Sequence, residues 1–586
     1  MNNIFSRVQD FKDKHFKHEK SVKKEIEAKR HPAIMKNIRD ILSTGVEMFG
    51  DHPLYVFKRN GQENRVTYRE FRDMVNYVGT GFSNYGLMGK TVAVIGDCCP
   101  EYLATYHAAV AGNGVIVPID HDLSEEAIVG FLNWSEAEAI VYTEAFNGKL
   151  LKLADQLTTV KYFIPAYGET QQGDNILPMS TLIECGRRAL KNGDRSFIDC
   201  KPIMEKMSVL LFTSGTTGTS KGVMLSHRNL IAAINASVQS TEYDDDDVLV
   251  DLLPLHHSYE MTCGQLAASA CGMTIYVNDG IKNTMRTINA AKPTLLVVVP
   301  LYIETMRKRI WNEIDKKGMR KKVELAMKLS DTAMGVGLDL RDKIFAQIRN
   351  SLGGNLRSIV CGGAPLDPDL VREFDRFGIA IFEGYGITEC APLVAFNRAG
   401  KRRPGSVGQP VYGCMVRIDN GGGNEPGEIL VKGDNVMMGY YKNEEATREV
   451  FTEDGWFKTG DIGYIDSDNY VYITGRKKNV IILSNGKNVF PEELEEHLSR
   501  EDIVSETVVV ARKKYQSEDV VITAIIYPDP ELTKGMSSDE EFAAVKEAVN
   551  RVNKKLPVYK QIHDIEIRDT EFEKTTTKKI KRFLVK

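Results

Sequence analysis

The chain has 586 residues, 42% of them hydrophobic and 27% charged, enough to bury several cores and to form three or four units at about 150 residues per domain. A formal net charge of −4 and a pI near 6.3 exclude a whole-molecule attraction to nucleic acid, so any polyanion is bound locally. Nine cysteines with no C-x-x-C pair and no Cys/His zinc spacing argue against a thiolate metal site and for a reducing, cytoplasmic compartment.

Residues 1–32 read as a charged arm without the apolar core of a signal peptide, and the longest apolar runs, such as TLLVVVP at 294–300, fall far short of spanning length. Within the arm, Phe5, Phe11 and Phe16 stand among Lys12, Lys14, Lys17 and Lys20. That pattern fits a solvated helix, or else peripheral contact with the anionic inner face of a membrane. The ordered part is expected from about residue 33. Ile38, Ile41, Leu42, Val46 and Phe49 recur at helical spacing, and LYVF and TVAVIGD follow as short strands. EYLATYHAAVAGNG then reads as a helix and GVIVPID as a strand, the order of a crossover unit in an α/β sheet. The same texture recurs from ALKNGDRSFIDC to SVLLFTSG, from GMTIYVND to PTLLVVVP and from LRSIVCGGAPLD to GIAIFEGYG. The aspartates at 244–247 read as a turn, since a contiguous acidic run implies no ligand geometry. A basic stretch at 307–328 fits a solvated helix or a membrane-facing one. Beyond Pro404 the texture becomes Gly-rich turns and alternating strands, and from Lys477 it changes again. FPEELEEHLS there carries Pro491 and acidic residues at a helix start, followed by the strands TVVVAR and VVITAIIYP.

The segment LLFTSGTTGTSKGVMLSH at 210–227 sets an apolar run against a loop of Thr, Ser and Gly with one cation, Lys221. Glycines there let backbone N–H groups turn toward one ligand, hydroxyls add donors, and Lys221 adds mobile charge, a set suited to phosphate oxygens. The frame is not a Walker A loop, because Ser220 stands before Lys221. Read alone, a Ser/Thr/Gly-rich stretch is most often a plain linker, and an isolated Asp or Arg a surface ion pair.

TSGTTGTSKG nevertheless resembles the phosphate loop of the AMP-forming acyl-CoA synthetase superfamily, which includes adenylation domains and luciferases. EGYGITEC at 383–390, WFKTGDIG at 456–463, the segment from Gly475 and TTTKKIKR at 575–582 resemble its further motifs in the same order. The resemblance implies a large N-terminal α/β adenylation domain over 33–475, its β-rich part at about 404–475, and a small mobile α+β C-terminal domain over 476–586. It implies two half-reactions: a carboxylate attacks the α-phosphate of ATP with loss of pyrophosphate, and a thiol, normally of coenzyme A, then takes the acyl group. Thr213, Ser214, Gly215, Thr216, Thr217 and Lys221 would hold the β- and γ-phosphates, Thr388 would touch the α-phosphate, and Glu389 would hold Mg²⁺. Glu383, Gly384 and Tyr385 would line the adenine, and Asp461 with Arg476 the ribose. Lys579 would bridge carboxylate and α-phosphate. The family has Gly before that lysine where this chain has Lys578, so the choice between the two rests on Ile580 and Arg582. Lys478 would be the hinge, with Ser484, Gly486 and Lys487 turning toward coenzyme A. LPLHHSYE at 253–260 resembles the long-chain fatty acid–CoA ligases, which would set His257 near the acyl carboxylate. An acyl-carrier-protein synthetase and a non-turnover adenylate sensor are the alternatives; oligomeric state is not readable.

Overall fold

The computed structural model describes residues 34–168, 173, 175–213, 220–420, 426–483, 487–513, 520–575 and 579–585. The N-terminal arm and Ser214, Gly215, Thr216, Thr217, Ser484, Gly486 and Lys578 lie outside the described residues.

Two large sheets carry the α/β part. In the first, seven strands run in the order 439–440, 221–226, 207–213, 115–119, 91–95, 139–142 and 162–165. In the second, nine run 409–410, 393–396, 380–386, 358–362, 295–298, 248–251, 274–277, 53–59 and 62–67. The inner strands are parallel and buried along nearly their whole length, which is why they read as continuous apolar runs rather than alternating ones. The helix Pro100–Ala111 is buried at all twelve positions. Its one acid, Glu101, is tolerated there because Arg59 donates to both carboxylate oxygens at 2.8 Å.

Helix starts follow their caps. Asn37, Thr67, Ser226 and Ser537 each accept from the N–H three residues on or its neighbour and close a capping box. Ser226 begins its helix directly after the strand Lys221–Ser226, so the cap fixes where the lysine-bearing strand ends. His227 follows, and its Nε2 accepts the Ile38 N–H at 3.1 Å. Burial pushes this imidazole down to about 4, which keeps the acceptor neutral.

The strand–helix–strand reading fails at one place. RSFIDC is not a strand but a turn after the helix Met179–Lys191. Its apolar residue, Phe197, is instead a fully buried plug over Gly79, where a Cβ would meet the ring at 2.3 Å. The polar strand Gln62–Thr67 was not anticipated either. It forms because Asn60 and Gly61 both take positive φ, 53° and 75°, and close a tight hairpin with Pro53–Arg59.

The four-stranded antiparallel sheet 414–419, 427–433, 457–465 and 471–476 gives the β-rich region, and a three-stranded sheet 504–513, 520–528 and 564–567 packs with the helices Pro491–Ser499 and Ser538–Asn553 in a core of its own. Among the described residues, the ion pairs Arg500 to Asp367 at 3.2 Å and Lys308 to Asp529 at 3.4 Å help tie this last unit to the rest. Asp244, Asp245 and Asp246 bring carboxylate oxygens within 4.8 Å of one another in the turn before the strand Val248–Asp251. No helix among the described residues is long and apolar enough to cross a membrane.

Candidate active site

The strands Met207–Thr213 and Lys221–Ser226, which flank the Ser/Thr/Gly-rich segment, pair antiparallel with Thr213 opposite Lys221. The Lys221 ammonium lies 4.5 Å from the centre of the Tyr440 ring, a cation–π contact that holds the side chain in place. Tyr440 in turn donates its hydroxyl to Glu389 Oε1 at 2.9 Å, and burial together with Glu389 pushes that phenol up. Lys221, Tyr440 and Glu389 thus form one relay from the Lys221 strand to the acidic motif. Tyr440 was missed in the sequence. Its signal is the edge strand Gly439–Tyr440 pairing with Val223 and Met224, which no local pattern reveals.

The strand Ala380–Gly386 brings Glu383, Gly384 and Tyr385 to its C-terminal end, where open α/β sheets bind ligands. Gly386 is required there: a Cβ would stand 2.4 Å from the Pro392 carbonyl oxygen as the chain turns back. Glu383 is buried, and burial pushes its carboxyl up to about 8. Thr388 and Glu389 follow on a short 3₁₀ turn, anchored by the Met437 N–H donating to the Glu389 carbonyl at 2.8 Å.

Asp461 and Arg476 face each other on neighbouring strands, Phe457–Ile465 and Val471–Arg476. Arg476 Nε meets Asp461 Oδ1 at 2.7 Å and the Tyr385 hydroxyl donates to Oδ2. Only 3% of Asp461 is exposed. Burial pushes its carboxyl up, opposed first by Arg476 and then by the Tyr385 hydrogen bond. A buried carboxylate already aligned by two donors is set to accept further hydrogen bonds.

Lys579 enters this cleft from the C-terminal unit. Its Cε would be 4.0 Å from a Cβ on Gly363, just past the strand Ser358–Gly362. The Thr575 N–H donates to the Lys579 carbonyl at 2.8 Å, and the Lys579 N–H donates to Thr575 Oγ1 at 3.2 Å. Burial, then the Arg476 charge, push its ammonium down, with Asp461 working the other way. Deprotonation follows the sign of that shift. The ammonium is present below the depressed pKa and lost as pH rises through it, at lower pH than the usual lysine value of about 10.4. Any reaction using the cation should therefore show an alkaline limb that Lys579→Arg, with a guanidinium, moves to higher pH; pyrophosphate release against pH measures this, and an unmoved limb assigns it elsewhere.

His257 lies near Lys579, whose charge helps lower it, although burial and then His256 dominate in pushing it down to about 3. The His256 and His257 rings are 4.3 Å apart, and His256 Nε2 is 3.5 Å from Asp120. Both imidazoles are neutral. Glu260 lies in the π-helix Tyr259–Leu266, buried at every position after the first, accepts from Gln265 Nε2 at 3.1 Å, and is pushed well up by burial and by Asp251. The sequence pointed to His257 but not to this Asp251–Glu260 pair or to Asp120, because their proximity arises only in the fold. Lys478 sits on the 3₁₀ turn Lys477–Asn479 between the two parts, and Lys487 stands over the Tyr559 ring at 4.2 Å, away from the nucleotide groups.

The Lys221 strand pair, the buried Asp461 carboxylate held by Arg476 and Tyr385, and Lys579 from the C-terminal unit are the chemical groups of this site. The chain belongs to the AMP-binding enzyme family: residues 42–441 match the AMP-binding enzyme model and 478–585 its C-terminal domain model. It is 30% identical to the long-chain-fatty-acid–CoA ligase FadD15 of Mycobacterium bovis, over 91% of this chain and 92% of that protein. It is 29% identical to the peroxisomal long chain acyl-CoA synthetase 7 of Arabidopsis thaliana, over 88% and 77%. The fold matches the anthranilate CoA ligase AuaEII in complex with anthranoyl-AMP at a TM-score of 0.75, with 21% identity over 94% of this chain and 97% of that one. ATP-bound MatB from Rhodopseudomonas palustris matches at 0.71, with 23% identity over 94% and 98%.

Proposed function

We propose that the protein converts a long-chain fatty acid, ATP and coenzyme A to acyl-CoA, AMP and pyrophosphate. The observation that carries the proposal is the Lys579 ammonium, without a hydrogen-bond partner among the described residues, poised between the Asp461–Arg476 pair and His257. A substrate carboxylate oxygen attacks the α-phosphorus, and the bond to pyrophosphate breaks. Two anions meet in that step, so Lys579 draws the carboxylate and α-phosphate oxygens together while Lys221 and the Ser/Thr/Gly-rich segment beside it take up charge on the departing group. Glu389 offers a hard oxygen beside Tyr440 and fits Mg²⁺, which is commonly held by one or two carboxylates plus substrate phosphates; the ion supplies neutralisation of phosphate charge. The thiol of coenzyme A then attacks the acyl carbonyl and AMP leaves. For that step the C-terminal unit turns at Lys478, withdraws Lys579, and brings the segment around Ser484, Gly486 and Lys487 to the cleft.

The chain-length reading is supported by the names of the relatives and by an apolar pocket next to the histidine loop. Tyr106, Val209, Leu211, Leu255, Met261 and Thr262 are among its walls, and its free space is about 10 Å³, room for about one water. A long chain therefore enters only by displacing wall residues, of which Met261 is the most pliable. Neutral His256 and His257 leave the entrance without a net cation that would hold the carboxylate away from Lys579.

The test is pyrophosphate release and thioester formation across acids from acetate to oleate, with and without coenzyme A. Turnover rising with chain length and requiring coenzyme A supports the proposal. Release that stalls near one turnover with coenzyme A present points to a carrier-protein acceptor, and no release with any acid points to a sensor. Met261→Trp should shift the optimum toward shorter acids, and an unchanged optimum would remove this pocket from the acyl path.

A further inference from the structure

We propose that the outer face of the helix Arg320–Gly335, with the segment following it, docks on an anionic lipid surface. Of the 21 large apolar side chains exposed among the described residues, seven fall within 325–344. Single exposed apolar residues are ordinary, but a contiguous cluster marks an interaction surface. The helix is two-faced. Met327 and Ser330 are buried inward, Met327 in the core beneath the nine-stranded sheet, while Leu325, Leu329 and Val336 follow at helical spacing on the outside and are 59%, 60% and 64% exposed. Leu338 and Leu340 extend the apolar surface past the helix end. An ordinary surface helix is polar along its outer face, whereas this one carries large apolar side chains there among its charges.

Charge selects the occupant. Between residues 316 and 344 stand eight Lys or Arg and four Asp or Glu. Three of those acids are taken by arginines: Asp331 by Arg376 at 3.0 Å, Asp339 by Arg341 at 2.6 Å and Asp342 by Arg349 at 2.7 Å. Lys321, Lys322 and Lys328, beside Leu325 and Leu329, have no ion pair among the described residues, and their aliphatic stems extend the apolar face while the ammonium groups reach outward. A second copy of the chain would bring the same positive surface against this one. The N-terminal arm, with nine basic and five acidic residues in 1–33, is also of the wrong sign. Anionic headgroups above an acyl layer complement both the lysines and the leucines. None of the residues 320–344 is among those of the candidate active site, and the proposal does not depend on which acid the enzyme activates.

Cosedimentation of the full-length protein with vesicles tests this. The wild type should pellet with phosphatidylcholine vesicles containing phosphatidylglycerol, less so as salt rises, and not with phosphatidylcholine alone. The double variants Leu325→Glu/Leu329→Glu and Lys321→Glu/Lys322→Glu should each lower partitioning by about tenfold or more, with unchanged Tm and unchanged turnover of a water-soluble acid. The proposal is overturned if the wild type ignores anionic vesicles or if both variants, folded, pellet as the wild type does. It is equally overturned if the wild type sediments as a dimer that Leu325→Glu/Leu329→Glu makes monomeric.

Discussion

Lys579→Ala should slow acyl-adenylate formation by about 10²–10³-fold, the scale of losing one preorganised donor to developing charge. Thioester formation from a supplied acyl adenylate should change by no more than about threefold, because in the proposed cycle that step follows withdrawal of the lysine from the cleft. The contrast between half-reactions is the informative quantity. A merely structural lysine at this position would depress both equally, and so would a general loosening of the C-terminal unit. Single-turnover measurement of each step on the same preparation decides the matter. Among the described residues the side chain makes no hydrogen bond or ion pair whose loss would unfold the protein, so the Tm should hold.

Asp461→Ala should weaken ATP and AMP binding by about 100-fold, on the basis that hydrogen bonds to a charged group contribute roughly 1.5–3 kcal/mol each. Stability should suffer much less. Breaking a buried ion pair typically costs about 3–5 kcal/mol through the charge left behind, but Arg476 keeps 40% of its side chain exposed and can turn to water. The Tyr385 hydroxyl loses its acceptor in the same variant. Asp461→Asn retains an acceptor for Tyr385 while losing the charge, so its nucleotide affinity should fall between wild type and alanine. Calorimetric titration with AMP checks the order, and equal affinity in all three would move the ribose contact away from Asp461.

Much of this architecture was legible because parallel strands buried on both faces announce themselves as apolar runs, and because Pro491 stands where a helix begins. The failures have physical causes. RSFIDC has the apolar content of a strand, but Phe197 serves as a single plug against Gly79, and one large side chain can imitate a short run. QENRVT has no apolar face at all, and only Asn60-Gly61 pointed to its pairing. In the site, Lys221, Glu389, Asp461, Arg476 and Lys579 were readable because each sits within a contiguous motif. Tyr440, Asp120 and the Asp251–Glu260 pair were not, since each meets its partner across strands or helices far apart in sequence, and nothing local constrains their type.

Two of the ion pairs between the units, Arg500 with Asp367 and Lys308 with Asp529, have arginine and lysine side chains 35% and 63% exposed. Exposed pairs of this kind contribute at most about 1 kcal/mol each and weaken with salt. Such ties are a friction clutch rather than a lock. In the proposed cycle they would hold the lysine-bearing unit engaged for one chemical event and then slip under thermal motion, so that one cleft serves two reactions by turns. Ionic strength would then be a setting on that clutch, dividing time between the two tasks without touching a single group assigned to the chemistry.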